Sequence, residues 1–427
     1  MKQSFYTFVL TDNDSAFWYN ALSHKHFRIS TNLSDKLNRV LQAPDILKSL
    51  HPELYDKLID SGFIVEDGVN EIDIIRQKHK QAVNRKNYFL VVLPTLNCNF
   101  KCWYCIQEHV PSKMSLETIT ALKNHIEYMI TEEKIELLHL DWFGGEPFLY
   151  FNEIIKPITE FAIAQCKLHS IPFIASSTTN AYFINESVSY QLADLHFRHF
   201  QITLDGNKEM HDKVKYMNGC VSAFETALRN INNILLHSPQ SNIYLRINYT
   251  HDNLTEAIID QVNELISTEF RSRITIGPHK VWQVEADKSY NDPIIQILNN
   301  FEKSGYNVAR QNINLNYTPC YVNEKYYNSI NYNGDVLKCT ANSNLHTPLN
   351  KGKITSDGRI IWKDKYDEQF IAPTFENDRC LNCKILPVCM GICPREHVAG
   401  HSYCKYEVID EDFEMRLLDF LKNHYKP

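Results

Sequence analysis

The segment Pro94–Cys105 reads PTLNCNFKCWYC and follows a short apolar stretch with the pattern of a β-strand. Its cysteines, Cys98, Cys102 and Cys105, are separated by three residues and then by two. Cysteine thiolates are the usual ligands of iron–sulfur clusters, so these three can hold three irons of a 4Fe–4S cluster. No fourth cysteine lies nearby, so one iron would stay open for a substrate or cofactor. Structural zinc is the alternative, but it takes four ligands in paired spacings that this segment lacks.

The bulk composition is that of an ordinary globular protein with an acidic balance. The chain has 427 residues, of which 44% are hydrophobic and 22% charged, and its net charge is −7. The acidic balance argues against general affinity for nucleic acid. The central apolar run Phe89–Leu93 is too short to cross a membrane, and Met1–Phe5 does not begin a signal peptide. We therefore expect a cytoplasmic protein without nucleic-acid or membrane partners, whose clustered cysteines are reduced metal ligands rather than disulfides.

Strand and helix patterns alternate through the centre of the chain. Six apolar strands are predicted, at residues 89–93, 137–143, 173–176, 200–204, 243–247 and 274–276. Helical patterns fill the gaps between them, which implies a parallel sheet with right-handed crossovers. The sequence thus predicts an α/β fold with a partial (β/α)6 barrel over residues 88–305, where chemistry sits at the carboxyl ends of the strands.

A glycine pair follows the second predicted strand of this region. Residues 144–147 read Gly144-Gly145-Glu146-Pro147 in a chain with only thirteen glycines. Glycine permits close backbone approach and positive φ, so an adjacent pair at a strand end is informative. Together with the cysteine spacing, this tetrad resembles the radical S-adenosylmethionine (SAM) superfamily, in which the matching motif receives the amino group of SAM. The resemblance implies that SAM binds the open iron and yields a 5′-deoxyadenosyl radical, which abstracts hydrogen from an unactivated C–H bond.

The same resemblance assigns further SAM contacts to the ends of later strands. Thr179 and Asn180 match a Thr-Asn-Gly segment, and Asp205 matches a Ser-Leu-Asp-Gly segment. Arg246 and Asn248 are similar to residues that contact the SAM ribose or carboxylate.

Two residues beside these motifs, Ala181 and His211, carry expectations of their own. Ala181 replaces the usual glycine after Asn180, which puts a tight backbone role there in doubt. His211 follows in a His-Asp pair and is expected to be a structural hydrogen-bonding residue more often than a catalyst.

Residues 1–80 have the pattern of a small α+β unit. Short strands are predicted at residues 6–10, 17–21 and 27–29, helices at 33–41 and 52–60, and Gly62 occupies a helix C-cap position. This order resembles a winged-helix element that recognises the leader of a ribosomally made precursor peptide. The alternative is that residues 1–80 form a purely structural N-terminal cap. The polar residues 81–86 that follow are predicted to be a linker.

Seven cysteines return in the C-terminal part, residues 306–427. Their order resembles the SPASM domain, an extension that carries auxiliary 4Fe–4S clusters. The resemblance assigns one cluster to Cys380, Cys383, Cys389 and Cys404, and another to Cys320, Cys339 and Cys393. The fourth position of that second cluster is left open. Zinc is a less remote alternative here, since Cys380-x2-Cys383 alone suits it.

The whole pattern resembles radical SAM peptide maturases, which cross-link ribosomally made peptides through carbon–carbon or thioether bonds. Expected partners are the leader and core of a precursor peptide and an electron donor such as flavodoxin or ferredoxin. An anaerobic sulfatase-maturing enzyme, which forms formylglycine, is the first alternative. Thr340 after Cys339, and the lack of an eighth cysteine near Cys320, count against it. A family member that only binds peptide is the other alternative, and the intact cysteine trio argues against it.

Overall fold

The computed structural model describes residues 1–250, 252–284, 291–310, 315, 319–346, 351–370, 374–389, 391–401, 404 and 413–425. The described chain divides into two compact units. The first comprises residues 1–85, 311–325 and 368–427, and the second residues 86–310 and 326–367. Residues 326–367, which the sequence assigns to the third domain, thus group with the central region. The three-domain division remains a prediction.

The strands occur in both units. They are β1 (Lys2–Gln3), β2 (Thr7–Asp12), β3 (Ser15–Asn20), β4 (His26–Ser30), β5 (Ile64–Val65), β6 (Asn87–Val92), β7 (Leu137–Trp142), β8 (Phe173–Thr179), β9 (Phe197–Leu204), β10 (Asn242–Tyr249), β11 (Ile274–Lys280), β12 (Asn307–Val308), β13 (Tyr327–Ile330), β14 (Asp335–Leu337), β15 (Gly352–Ile354) and β16 (Ile360–Trp362).

The helices lie between and after these strands. They are α1 (Thr31–Val40), α2 (Pro44–Leu50), α3 (Pro52–Asp60), α4 (Glu71–Val83), α5 (Leu116–Thr131), α6 (Lys156–Leu168), α7 (Glu186–Leu192), α8 (Lys208–Val214), α9 (Ala223–His237), α10 (Ala257–Leu265), α11 (Asn291–Lys303), α12 (Asp378–Leu381), α13 (Leu386–Cys389), α14 (Pro394–Val398) and α15 (Phe413–His424). None of the helices in the described part of the chain combines the length and apolar character that crossing a bilayer requires.

The second unit is built on one mixed sheet. Strands β6 to β11 lie side by side in chain order and run parallel, which confirms the predicted α/β alternation. β12 extends the sheet beyond β11, and β13 pairs in parallel with β6 before the antiparallel strands β14 to β16. The sheet therefore continues past the six predicted strands on both sides.

Strands β7 to β11 each have one apolar face toward the main core and polar side chains on the opposite face, where β6 contributes Phe89 and Val91. Leu138, Leu140 and Trp142 of β7 are fully buried in the main core with residues of α5, α6 and α9. His139 and Asp141 alternate with them and point to the opposite side, as period-two side chains must. We call that opposite side of β6–β11 the polar face.

The first unit contains a three-stranded antiparallel sheet, β2-β3-β4, and the pair β1-β5. Gly62 follows α3 with φ of +76°, as its predicted C-cap role requires. α4 runs to Val83, so the first half of the predicted linker is helical. One core cluster of this unit takes members from distant parts of the chain: Tyr6, Phe8, Leu10, Phe17, Tyr19, Ala21, Ile75, Leu386, Val388, Phe413, Leu417 and Leu421. We call this cluster the shared core.

Candidate active site

The three cysteines of the first motif lie in the loop after β6, at the carboxyl end of a parallel strand. Cys98, Cys102 and Cys105 are half-buried, and His109 Nε2 lies 3.3 Å from Cys105 Sγ. Burial, and then the nearby Glu146, raise the pKa of Cys98 to about 12. Burial also raises the pKa values of Cys102 and Cys105. A bound metal would offset this cost, because it deprotonates a coordinating thiol.

The glycine pair after β7 packs against the start of the cysteine loop. Gly145 N–H donates to Thr95 O at 3.1 Å, and the next residue donates to Asn97 O at 2.8 Å. Gly144 has φ of +117°, and a β-carbon there would collide with Thr95 O, as one on Gly145 would with Asn97 O. Pro147 then begins the short 3-10 turn Pro147–Tyr150. Both glycines are thus required where two backbone segments meet, which fixes the loop that carries the cysteines.

Glu146 joins the end of β8 to this turn. Its fully buried carboxylate accepts hydrogen bonds from Thr179 Oγ1 and from Asn180 N, each at 2.8 Å. Burial raises the pKa of Glu146 to about 7. Asn180 Nδ2 in turn donates to Asn99 Oδ1 at 2.8 Å and lies 3.9 Å from Cys98 Sγ. Glu146 therefore positions the strand end that contacts the cysteine loop.

Ala181 adopts a left-handed backbone conformation, which glycine favours. Its φ is +61°, and its N–H donates to Thr179 Oγ1 at 3.0 Å. The tight turn that the sequence left in doubt is therefore present, although a left-handed conformation costs a non-glycine residue about 1–2 kcal/mol.

A buried ion pair lies beside the cysteines. Lys215 Nζ is 2.5 Å from Asp205 Oδ2, and Tyr104 OH donates to Asp205 Oδ1 at 2.6 Å. Burial raises the pKa of Asp205, but Lys215, His211 and the hydrogen bond from Tyr104 together outweigh it, and the net pKa lies below the usual value. Burial lowers the pKa of Lys215, but Asp205, Tyr104 and Cys102 together outweigh it, and the net pKa lies well above the usual value. His211 Nδ1 accepts Asp205 N–H at 3.1 Å, and burial lowers the pKa of this histidine to about 3, which is consistent with the structural role expected of it.

Asn248 and Arg246 extend this network along β10. Asn248 Nδ2 donates to Tyr104 OH at 3.0 Å and to Asp205 Oδ1 at 3.2 Å. Arg246 Nε donates to Asn248 Oδ1 at 2.8 Å, and its guanidinium lies 2.9 Å from His279 Nδ1. The structure thus brings three residues assigned to SAM contacts, from β9 and β10, next to the tyrosine of the cysteine motif.

Sequence reasoning missed Lys215 and Tyr104. Tyr104 lies between two cysteine ligands, and Lys215 follows His211 by four residues, which is the spacing of one helix face. That spacing could have marked Lys215 as a neighbour of Asp205.

The donor set around the cysteine loop fits an anionic sulfur cluster. Asn99 Nδ2 and Gln107 Nε2 are buried donors of this loop for which the described residues supply no acceptor. Among those residues, no three His, Cys, Asp or Glu side chains converge on a single metal ion. Cluster ligands need not converge, because each thiolate binds a different iron.

Four of the C-terminal cysteines lie near enough to one another to interact electrostatically. Burial, followed by the neighbouring Cys383 and Cys404, raises the pKa of Cys380. Burial, followed by Cys383, Cys404 and Cys380, raises that of Cys389 to about 11. Of the remaining set, Cys320 and Cys393 lie in the first unit and Cys339 in the second, and their grouping stays a prediction. Of the two cysteines outside both clusters, Cys166 is buried and Cys220 is half-buried.

Comparison with known proteins extends these observations. Residues 92–261 match the model of the Radical SAM superfamily. The chain is 23% identical over 385 residues to a radical SAM cyclopropyl synthase, TigE, of Paramaledivibacter caminithermalis, covering 80% of this chain and 76% of that protein. It is 24% identical over 168 residues to a cysteine-type anaerobic sulfatase-maturating enzyme of Clostridium novyi, covering 38% and 44%.

Among solved structures, SuiB of Streptococcus suis bound to the precursor peptide SuiA is similar over 97% of both chains. Its sequence identity is 15% and its TM-score 0.50, which is a likeness of fold. Residues 92–261 thus form a radical SAM domain, with the cysteine trio and the glycine turn at its strand ends.

Proposed function

We propose that the protein is a peptide maturase that cross-links a ribosomally made precursor peptide through a carbon–carbon or thioether bond. The observation that carries the proposal is the cysteine loop, which the Gly144–Gly145 turn and Asn180 hold at the carboxyl ends of parallel strands. Cys98, Cys102 and Cys105 would hold a 4Fe–4S cluster, and SAM bound there supplies a 5′-deoxyadenosyl radical. Asp205, Arg246 and Asn248, with the 144–147 turn and Thr179, would orient SAM.

The peptide substrate is supported by the relatives. TigE aligns with four-fifths of this chain, and SuiB, which shares the fold, has been seen with its precursor peptide. In the winged-helix-like N-terminal region, Leu33, Ile46, Leu50 and Leu54 on α1–α3 are at least 40% exposed. Exposed apolar side chains together with the edge strand β4 suit a leader that adds as an extra strand.

We assign the C-terminal cysteines to auxiliary clusters, in the sets Cys380, Cys383, Cys389 and Cys404, and Cys320, Cys339 and Cys393. Such clusters accept the electron that a cross-linking reaction releases. The electron for SAM cleavage would come from a flavodoxin or ferredoxin.

Mass spectrometry tests the proposal. A candidate precursor from a neighbouring small reading frame is incubated anaerobically with reconstituted protein, SAM and reductant. We expect a loss of two hydrogens per modification with the native chain and none with Cys98→Ala, which also stops 5′-deoxyadenosine formation. An unchanged peptide beside abundant 5′-deoxyadenosine would contradict the substrate assignment.

The same experiment distinguishes peptide cross-linking from the second candidate function, which is sulfatase maturation. The likeness to a sulfatase-maturating enzyme covers 38% of the chain and favours formylglycine formation as the second candidate. A sulfatase peptide with its target cysteine would then be converted to the aldehyde, and a precursor peptide would not be cross-linked.

A further inference from the structure

A cavity of about 280 Å³ lies against the polar face of strands β7 to β11. Its lining includes Asp141, Ser176, Thr178, Gln201 and Tyr244. None of these side chains belongs to the network that orients the cysteine loop and Asp205. The cavity therefore offers a second set of polar groups within the same domain.

Three side chains next to this cavity form a hydrogen-bonded chain. Asp141 of β7 and Ser176 of β8 are paired in register, and Ser176 Oγ donates to Asp141 Oδ1. Since that hydroxyl hydrogen is used, Ser176 Oγ accepts from His139 Nε2, 2.7 Å away. Phe89 packs on the His139 ring at 4.6 Å between centroids, which holds the imidazole in place. The hydrogen bonds thus run from the His139 imidazole to the Ser176 hydroxyl and from there to the Asp141 carboxylate.

The carboxylate at the end of the chain is poised to take up a proton. Within the described residues, Asp141 has one hydrogen-bond donor, Ser176, and no ion pair. The titratable side chains facing it are His139 on its own strand, His199 on β9 and Tyr244 on β10, while β6 presents Val91. Burial without a cation raises the pKa of Asp141 to about 6. Burial lowers that of His139 to about 4, so the imidazole is neutral when the carboxylate is charged.

The hydrogen-bonded side chains of His139, Ser176 and Asp141 lie on the same face of the sheet as Asn180, which contacts the cysteine loop. Ser176 and Asn180 are four residues apart on β8 and its extension, roughly 13 Å at about 3.3 Å per residue. Asn180 contacts the cysteine loop, so a peptide segment extending from there along the polar face reaches the cavity.

We propose that Asp141 accepts the proton that the peptide releases when its new bond forms, with Ser176 and His139 as positioning residues. This inference rests on the proposed function. The peptide carbon loses a hydrogen atom to the 5′-deoxyadenosyl radical, which becomes 5′-deoxyadenosine. The attacking group then bonds to that carbon, its proton passes to Asp141, and one electron passes to an oxidised iron–sulfur cluster. The peptide thereby loses two hydrogens in all.

The test uses the full holoenzyme and the candidate precursor peptide carrying deuterium on its carbons. For Asp141→Asn we expect deuterium transfer into 5′-deoxyadenosine to stay within twofold of the native rate. Cross-linked peptide should fall about 100-fold, the usual contribution of a positioned acid or base. Asp194→Asn, the same change at an exposed position, should alter neither quantity.

The pH dependence of cross-linking tests the positioning roles of Ser176 and His139. The native cross-linking rate should fall as pH drops through about 6, because the carboxylate becomes protonated. Ser176→Ala removes a hydrogen bond that stabilises the carboxylate, so this limb should move to higher pH. His139→Gln, which keeps a donor near Ser176, should leave the limb closer to native.

Three outcomes would overturn the inference. Native-rate cross-linking by Asp141→Asn shows that Asp141 is not the acceptor. Parallel loss of deuterium transfer and cross-linking shows that it only positions the peptide. If the native enzyme transfers no deuterium from the peptide, the proposed function itself fails, and this failure is visible without any variant.

Discussion

At the residue scale, the charge balance beside the cysteine motif rests on one buried contact. Lys215 is 3% exposed and its ammonium is 2.5 Å from Asp205. Lys215→Met leaves a buried carboxylate without its cation, and breaking such a pair costs about 3–5 kcal/mol. We expect a correspondingly lower free energy of unfolding, measured by urea denaturation followed by circular dichroism.

A second substitution separates charge from packing. Adding Asp205→Asn to Lys215→Met removes the orphaned charge, so part of the lost stability should return. Lys208→Met, which breaks the exposed pair with Glu225, serves as the control and should change little. Equal effects of Lys215→Met and Lys208→Met would show that the buried pair does not stabilise the fold.

At the scale of elements, the glycine turn after β7 sets the position of the cysteine loop. Gly144→Ala forces a side chain into a position with φ of +117° and against Thr95 O. We expect less iron per chain after reconstitution and slower SAM cleavage, since the loop must move. Gly68→Ala is the matched control, because a β-carbon there meets nothing within 4 Å. Full iron content in Gly144→Ala would refute this role for the turn.

The open edge of β4 carries a second prediction at this scale. Asn20 N–H donates to Lys25 O and Thr31 N–H to Asp14 O, which fixes the pairing of β4 with β3. In an antiparallel ladder, the backbone N–H groups of alternate residues point to the partner strand, and those of the residues between them point away. Arg28 N–H points away from β3, to the edge where a leader would add. Arg28→Pro should weaken leader binding about tenfold, or about 1.4 kcal/mol, in fluorescence anisotropy. Arg28→Ala keeps the N–H and should bind normally; equal weakening by both would place recognition in the side chain.

The local pattern of apolar and polar residues was enough to predict most of the helices and strands. Short apolar runs marked all six central strands to within a few residues, and Pro52 marked the start of α3. The seven-residue helices α2 and α8 were missed, whereas α7, which is equally short, was predicted as part of the helical pattern over residues 185–195. The Asp141–Ser176–His139 chain was missed because it depends on sheet register, which no local pattern specifies. The Lys215–Asp205 pair was missed although the four-residue spacing from His211 to Lys215 could have marked it.

At the scale of the whole molecule, the two compact units join segments that are far apart in sequence. The shared core buries Tyr6, Phe8 and Tyr19 with Leu386, Leu417 and Leu421. Each of these stretches, taken alone, reads as an ordinary amphipathic element. Nothing in their patterns says that the N-terminal strands pack with the cysteine-rich C-terminal segment, which is why the sequence divided them into separate domains.

This shared core predicts what happens when residues 1–85 are deleted. The apolar faces of α13 and α15 lose their partners, so the segment that carries Cys380, Cys383, Cys389 and Cys404 should no longer hold the cluster proposed for these cysteines. We expect the truncated chain to lose roughly four irons. The cysteine trio and the residues proposed to contact SAM all lie within residues 86–310, so uncoupled SAM cleavage should persist. Full-length Arg28→Pro controls for loss of leader binding alone and should keep all its iron. A truncated chain with its full iron content and an unchanged urea midpoint would mean that the C-terminal segment folds without the N-terminal strands.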